Sequence, residues 1–261
     1  MAKVNAQNII EKDMLAAFLE VKLIDAIKLY PLTKVGNVDA EAGATIQVPQ
    51  TQYIGDEADV AAGAAIELDK ITQTMANCVV KKIAKGMTFT VEDINNAFID
   101  IQAEAEKQML KSLADKVEKD LFAELKKGTL KVTVDALDVD GLAEAIVPFG
   151  EDIEEQMYLF VNPADLAVLR KDDNFIVNAN HGEGTIKSAG NIFGLEVVVT
   201  NRVEANAPII LKDEAVALYL KQGVKVEEEK DIIHQVHNVV ATQHYAVMLH
   251  DDTKVIQITV G

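Results

Sequence analysis

The feature that most constrains this chain is an unbroken helical stripe from Val91 to Lys127. Apolar residues recur at Ile94, Phe98, Ile101, Ala105, Met109, Leu113, Val117, Leu121 and Leu125, in steps of three or four, so one face is hydrophobic along the whole length. Thr90 stands at the N-cap with Asp93 placed to return the bond, an aspartate version of the capping box. No Pro or Gly interrupts the run before Gly128, which follows Lys126 and Lys127 as a helix stop. Such a helix extends ~55 Å at ~1.5 Å per residue, beyond the core of a compact domain of this size, and implies an elongated or plate-like molecule. The steps are not heptads and the rest of the chain is strand-rich, which argues against a coiled coil.

The 261 residues, 49% of them hydrophobic, suffice for one large domain or two small ones with a real core. No apolar run approaches the length of a membrane span, and no charged-then-apolar leader with a small-residue cleavage site is present. The single Cys78 excludes an internal disulfide framework and reads as a small buried side chain in an apolar strand. Basic residues number 25 against 42 acidic ones, a net charge of −17, which argues against gripping nucleic acid by phosphate neutralisation. Arginine occurs only at Arg170 and Arg202.

An apolar helix spans about Ala6 to Tyr30, with a stripe at Ile10, Met14, Ala17, Val21 and Ile24 widened by Ile9, Leu15, Phe18, Leu19, Leu23 and Ile27, and Pro31 closes it. From Val35 to Asp69 the chain holds four glycines, seven acidic residues and no Lys or Arg. Thr45 to Val48 reads as a short strand and Ile71 to Ile83 as a longer one, together a β-hairpin with a long tip between Pro49 and Lys70. A tip of that length fits an arm that orders against a partner better than a loop inside a compact domain. Lys81, Lys82 and Lys85 form a basic cluster just before the long helix. With Asp56, Glu57 and Asp59 on the arm, they are candidates for a head-to-tail contact between copies.

Beyond the helix the pattern is mixed. Strands are expected at Leu130–Val134, Met157–Val161, Leu195–Thr200 and Ile209–Leu211, and helices at Val139–Val147, at Asn162-Pro163 through Arg170, and from Asp213 to about Leu220. Asp172 to Gly190 reads as an exposed loop. The tail is β-rich, with strands at Gly223–Glu228, Ile232–Thr242, Tyr245–His250 and Lys254–Val260 around a turn at Asp251-Asp252.

Catalytic patterns are missing. Gly182-Glu183-Gly184 lacks the rest of a dinucleotide fingerprint, and no phosphate-binding loop or G-x-S-x-G elbow occurs. His234 and His237 are three apart in a strand-like stretch and point to opposite faces, which spoils them as a metal pair. The acidic pairs lack the spacing of a calcium loop. No catalytic residue, cofactor site or metal site is assigned.

The order of elements, together with particular runs, resembles the major capsid protein of tailed bacteriophages with the Hong Kong 97-like fold. Gly43-Ala-Thr-Ile-Gln-Val-Pro49, Gly63-Ala-Ala-Ile66 and Val79-Val-Lys-Lys-Ile83 leading to Thr90-Val-Glu-Asp-Ile94 are similar to the extended loop and the start of the spine helix. Ile192 to Val203 followed by Ile209 to Asp213 is similar to the lobe around the symmetry axes. The resemblance implies an α+β fold with an N-terminal arm (1–34), an extended loop (35–78), a peripheral domain (79–134, spine helix 91–127), an axial domain (135–223) and returning strands (224–261).

It implies a non-enzymatic protein that assembles with itself, as hexamers and pentamers, into the icosahedral head enclosing double-stranded DNA without sequence-specific binding. Assembly would take place in the bacterial host cytoplasm. A separate scaffolding protein, a portal and a decoration protein are the further partners implied, since the chain starts almost at once with the arm. The absence of Lys between Val35 and Asp69 speaks against loop-tip crosslinking of the kind some members use. The acidity leads to the expectation of a net negative inner face. Two alternatives remain at this point: an encapsulin-like bacterial nanocompartment shell, and an acidic enzyme or ligand-binding domain with no recognisable motif.

Overall fold

A computed structural model describes residues 12–38, 45–51, 73–90, 92, 101–150, 155–177, 186 and 188–261. Its centre is a long helix lying across two sheets. The first sheet has strand order β1 (Thr33–Asn37), β11 (Val216–Asp231), β12 (Val236–Leu249) and β4 (Lys81–Thr90). Strand β1 runs parallel to β11, and the other pairs are antiparallel. The second sheet has order β5 (Leu130–Val134), β13 (Val255–Val260), β10 (Ile209–Lys212), β6 (Met157–Val161), β9 (Leu195–Val199), β8 (Gly190–Ile192) and β7 (Ile176–Val177). A separate antiparallel pair joins β2 (Thr45–Thr51) to β3 (Gln73–Val79).

The described part of the long helix, α2, spans Ile101–Leu125. Its stripe packs as the spacing predicts: Ala105, Met109, Leu113, Val117, Leu121 and Leu125 are all buried in one core with Val216, Leu218, Tyr245 and Val247 of the first sheet. Near its C-terminal end, Phe122 meets Phe160 of β6 edge to face, with ring centroids 5.5 Å apart, and so docks the helix on the second sheet as well. The Thr90–Asp93 cap lies outside the described residues.

The helix does not end on a left-handed glycine. Lys127 N–H and Gly128 N–H close tight turns on Glu124 and Leu125, and Gln257 of β13 donates its side-chain amide to the carbonyls of Lys126 (3.0 Å) and Gly128 (2.9 Å). A sheet residue thus caps the orphan carbonyls of a helix end. Gly128 fits closely there, since a Cβ would sit 3.3 Å from both Leu125 O and a Val255 methyl, a tight contact that a larger residue makes only if those neighbours shift slightly.

The N-terminal helix α1 spans Lys12–Ala26 and packs beside α2 on the same face of the first sheet. Leu19, Leu23 and Ile27 are buried whereas Val21 is exposed, so among the described side chains the core contact comes from the widening set. Pro31 falls within a 3-10 turn at Tyr30–Leu32. In the second sheet β6 is buried on both faces: Tyr158 and Phe160 face the α2 core, while Met157, Leu159 and Val161 face a second core. That core lies under α3 (Val139–Ile146), which Asp138 caps through Gly141 N–H. Helix α4 (Pro163–Leu169) starts as expected, with Asn162 accepting from Ala164 N–H.

Three expectations need correcting. The segment Asp213–Leu220 is not helical; β11 begins at Val216. Ala and Leu favour a helix locally, but pairing with β1 and β12 wins, with Val216 and Leu218 on one face and Ala217 on the other. Ile232 and Ile233 are not strand residues but sit in the turn between β11 and β12, where the Asp231 carboxylate accepts from Ile233 N–H and His234 N–H. The run Ile71–Ile83 is not one strand, because the chain breaks at Val80 and β3 and β4 join different sheets.

A polar network ties three elements together beneath the first sheet. Asp120 of α2 accepts from Lys116 (2.6 Å), from the Tyr245 hydroxyl (2.9 Å) and from Lys81 (3.4 Å). Burial works to raise its pKa, but the bonds from Lys116 and Tyr245 and the Lys81 charge outweigh it, so the carboxyl titrates below its usual value. Burial and Asp120 together push the Tyr245 phenol strongly upward.

Two outcomes follow from these contacts. Gln257→Leu leaves the α2 carbonyls without their donor and lowers unfolding free energy by about 1–2 kcal/mol, and Gln257→Glu costs more because a carboxylate then faces carbonyl oxygens. Urea denaturation measures both. Asp120 has a depressed folded pKa, so its contribution is fully present above the unfolded carboxyl pKa of about 3.9 and is lost as pH falls through the folded value. The stability gap between the native chain and Asp120→Asn, about 1.5–3 kcal/mol near neutrality, therefore closes below about pH 4 in paired denaturation curves.

Candidate assembly surfaces

The hairpin of β2 and β3 roots itself on the first sheet by alternation. Ile46, Val48 and Cys78 point down onto Ala217, Ala246 and Met248, while Met75 and Val79 point to solvent. The Cys78 thiol donates to Val247 O at 3.2 Å, and burial pushes its pKa up, so it is a packing residue and not a nucleophile. This contact lies on the face of the sheet opposite α2, because Ala217 alternates with the inward Val216 and Leu218. The hairpin therefore leaves the molecule from one side and the helices occupy the other.

Of the residues singled out for contact between copies, Asp56, Glu57 and Asp59 lie outside the described residues. Lys81, Lys82 and Lys85 all fall on β4, the edge strand of the first sheet. Alternation divides them: Lys81 and Lys85 share the parity of the buried Ile83, and Lys82 points to the hairpin side. All three are exposed; Lys81 reaches Asp120 of its own chain, and Lys82 and Lys85 have no acidic partner among the described residues.

The turn that carries the second sheet's lobe onto the helix is held by ion pairs. Arg202 bridges Asp115 (2.5 Å) and Glu118 (3.5 Å) on α2, and Lys126 pairs with Glu204 at 2.7 Å. The buried Asp165 accepts from Asn206 N–H and steadies the same turn from the other side. Both chain arginines had looked unremarkable in sequence, since nothing in the spacing pairs position 202 with a helix 84 residues earlier.

Sequence reasoning also missed the exposed apolar tips. Ile232 and Ile233 are 81% and 89% exposed at the end of the β11–β12 hairpin, and Phe193 (52% exposed) stands at the β8–β9 turn. The signal was available at the first: an Asp just before the pair offers the side-chain acceptor that turns use.

Among the described residues the histidines do not converge. His234 meets Asp231 at 2.6 Å in the turn, which holds that carboxyl below its usual pKa, and His237 lies 3.6 Å from Glu228. Among the described residues no three His, Cys, Asp or Glu side chains are grouped to hold a metal ion, and no helix is long and apolar enough to cross a membrane.

Comparison with known proteins bears on this arrangement of hairpin, long helix and two sheets. A family model for phage capsid protein matches residues 75–256. The major capsid protein of Staphylococcus phage phiMR11 is 31% identical over 259 residues, covering 97% of this chain and 94% of that protein. The capsid of cyanophage P-SCSP1u superposes with a TM-score of 0.70 at 13% identity, covering 88% of this chain and 86% of the other. The virus-like particle from Pyrococcus furiosus superposes with a TM-score of 0.65 at 12% identity, covering 94% and 98%. Likeness at these two identities shows the fold alone, which is the Hong Kong 97-like shell fold; the family model and the phiMR11 relative carry the rest. A chain matched in sequence by a coat protein along nearly its whole length, and folded as shell subunits fold, belongs to the phage capsid protein family as a major capsid protein of the virion head.

Proposed function

We propose that this subunit builds the icosahedral head as hexamers and pentamers around double-stranded DNA, and that it does so as a structural protein with no catalytic step. The observation that carries the reading is the separation of the hairpin root and the helices onto opposite faces of one sheet. A hairpin anchored at its base by Ile46, Val48 and Cys78, and continuing past Thr51, is built to lie over an adjacent copy. The first sheet with α1 and α2 serves as the peripheral domain, the second sheet with α3 and α4 as the axial domain, and the 200–206 turn joins them. Scaffolding, portal and decoration proteins are further partners in this reading.

The arm's carboxylates Asp56, Glu57 and Asp59 meet a neighbour's basic residues on β4. Lys82 and Lys85 supply the free charge, and Lys81 positions the strand through Asp120. Lys82 and Lys85 are exposed, so the contact is salt-sensitive and acts chiefly on register and on the rate of association.

Negative-stain microscopy of the expressed protein tests the reading directly: shells or capsomers are expected, and a monomer that never assembles overturns it. Reversing Asp56, Glu57 and Asp59 to Lys, or Lys82 and Lys85 to Glu, is expected to lower shell yield at low salt at least severalfold. Combining the two reversals restores it. Unchanged assembly in both single sets removes the arm-to-strand contact.

A further inference from the structure

We infer that the junction between the two sheets carries a pH-sensitive latch: the Lys34–His250 contact holds the edge strand β1 to the junction at neutral pH and lets it go in acid. The inference goes beyond the capsid reading and does not depend on it.

The chain passes between the sheets through α2 and through two short segments that lie side by side. Residues 213–215 lead from β10 to β11, and residues 250–254 lead from β12 to β13. His250 N–H and Asp251 N–H both donate to Ala215 O, at 2.8 and 3.1 Å, and Lys254 Nζ donates to Asp213 O at 3.3 Å. Glu214 takes a left-handed backbone, with φ 59°, and its N–H donates to Leu32 O at 2.9 Å, just before β1. Strand β1 therefore starts on this junction.

The strand has five residues, forms an outer edge of the first sheet and pairs only with β11. Thr33 Oγ1 bonds back to Leu29 O, within the same stretch of chain. Lys34 reaches out of it: its Nζ lies 3.1 Å from His250 Nε2 and 3.9 Å from Glu214 Oε2. An ammonium group has only donors, so Nε2 accepts and the neutral ring carries its proton on Nδ1. A second proton goes onto Nε2. It removes the acceptor and sets two cations against each other.

The charged groups facing the ring are Lys34 from β1, Glu214 from the first crossing, and Asp251 and Lys254 from its own. Burial and Lys34 hold the His250 pKa below its ordinary value, Lys254 adds to them, and Asp251 and Glu214 pull the other way. Folded His250 thus takes a proton less readily than the unfolded residue. Its contribution is fully present above the ordinary imidazole pKa of about 6.5 and is lost as pH falls from there through the lowered folded value. Glu214 is then the acceptor left to Lys34.

The Lys34 side chain is 45% exposed, so the contact contributes little to global stability and its loss acts locally. Strand β1 stands between α1 and the hairpin, whose first strand begins at Thr45. Acid therefore loosens the strand that joins these two segments. The hairpin root at Ile46, Val48 and Cys78 has no charge to gain or lose there and stays in place.

Hydrogen exchange read by mass spectrometry on the unassembled full chain, from about pH 7.5 to about pH 5 and corrected for intrinsic rates, tests the latch. Exchange of the β1 amides is expected to rise severalfold across that range while the β4 and β12 amides stay protected. His250→Gln, whose side-chain oxygen accepts at every pH, keeps β1 protected throughout. His250→Lys, a cation over the whole range, leaves β1 loose even at the neutral end, and Lys34→Met abolishes the step. Where a variant misfolds by circular dichroism, the native chain decides alone: the midpoint of the β1 step coincides with the His250 titration followed by NMR of the labelled ring. A step that persists in His250→Gln overturns the inference. So does a midpoint elsewhere, the lack of any step, or loosening that spreads at once to β4 and β12. Because the chain is unassembled, a failure to form shells counts against the capsid reading alone.

Discussion

The structure depends on burying one helical stripe against two sheets at once. Met109, Leu113, Val117 and Leu121 leave water only because the first sheet supplies Val216, Leu218, Tyr245 and Val247 beneath them, and Phe122 finds its partner only in the second sheet. Each buried large side chain contributes about 1.5–3 kcal/mol, so the helix stripe is a substantial link between the sheets. The polar contacts follow its course. Asp120 fixes the helix to β4 and β12, Arg202 fixes the lobe to its middle, and Gln257 closes its end. Most of a protein helix's stability comes from packing of its apolar face, and here that packing holds α2 in place.

That packing shapes the two faces. Because α1 and α2 fill one side of the first sheet, only the other side is left for the hairpin, and alternation along β11 and β12 delivers Ala217, Ala246 and Met248 to receive it. Small residues at two of these three positions let the hairpin lie close. The edge of the sheet is handled in a similar way. Strand β4 carries Lys81, Lys82 and Lys85, and inward or edge lysines discourage unplanned strand addition while leaving charge available for a chosen partner.

Much of this was legible in sequence, and the failures have physical causes. The α2 stripe from Ala105 to Leu125, the Asn162 cap, the all-buried Met157–Val161 strand and the return of Val255–Val260 were readable because local pattern and tertiary packing agree there. Asp213–Leu220 misled because its Ala and Leu residues satisfy a helix locally, and only strands from distant parts of the chain decide otherwise. At α1 the sequence offered two overlapping apolar stripes, and the partner surface, not the periodicity, selected Leu19, Leu23 and Ile27. For the candidate contacts, the cluster Lys81, Lys82 and Lys85 was visible as composition. That Lys81 alone of the three is held by Asp120 was not, because that depends on strand parity relative to a helix 39 residues away.

The same separation of scales explains why net charge misleads for a shell subunit. A globular protein meets a single solvent, and its total charge is a fair guide to what it will attract. A shell subunit meets two environments through faces that the strand alternation keeps apart. On this chain the segment Val35–Asp69 holds seven carboxylates and no Lys or Arg in sequence, and the exposed lysines of α2 stand on the helix side of the first sheet. The relevant quantity is then the charge of each face within a Debye length of its own neighbour, about 8–10 Å at ordinary ionic strength.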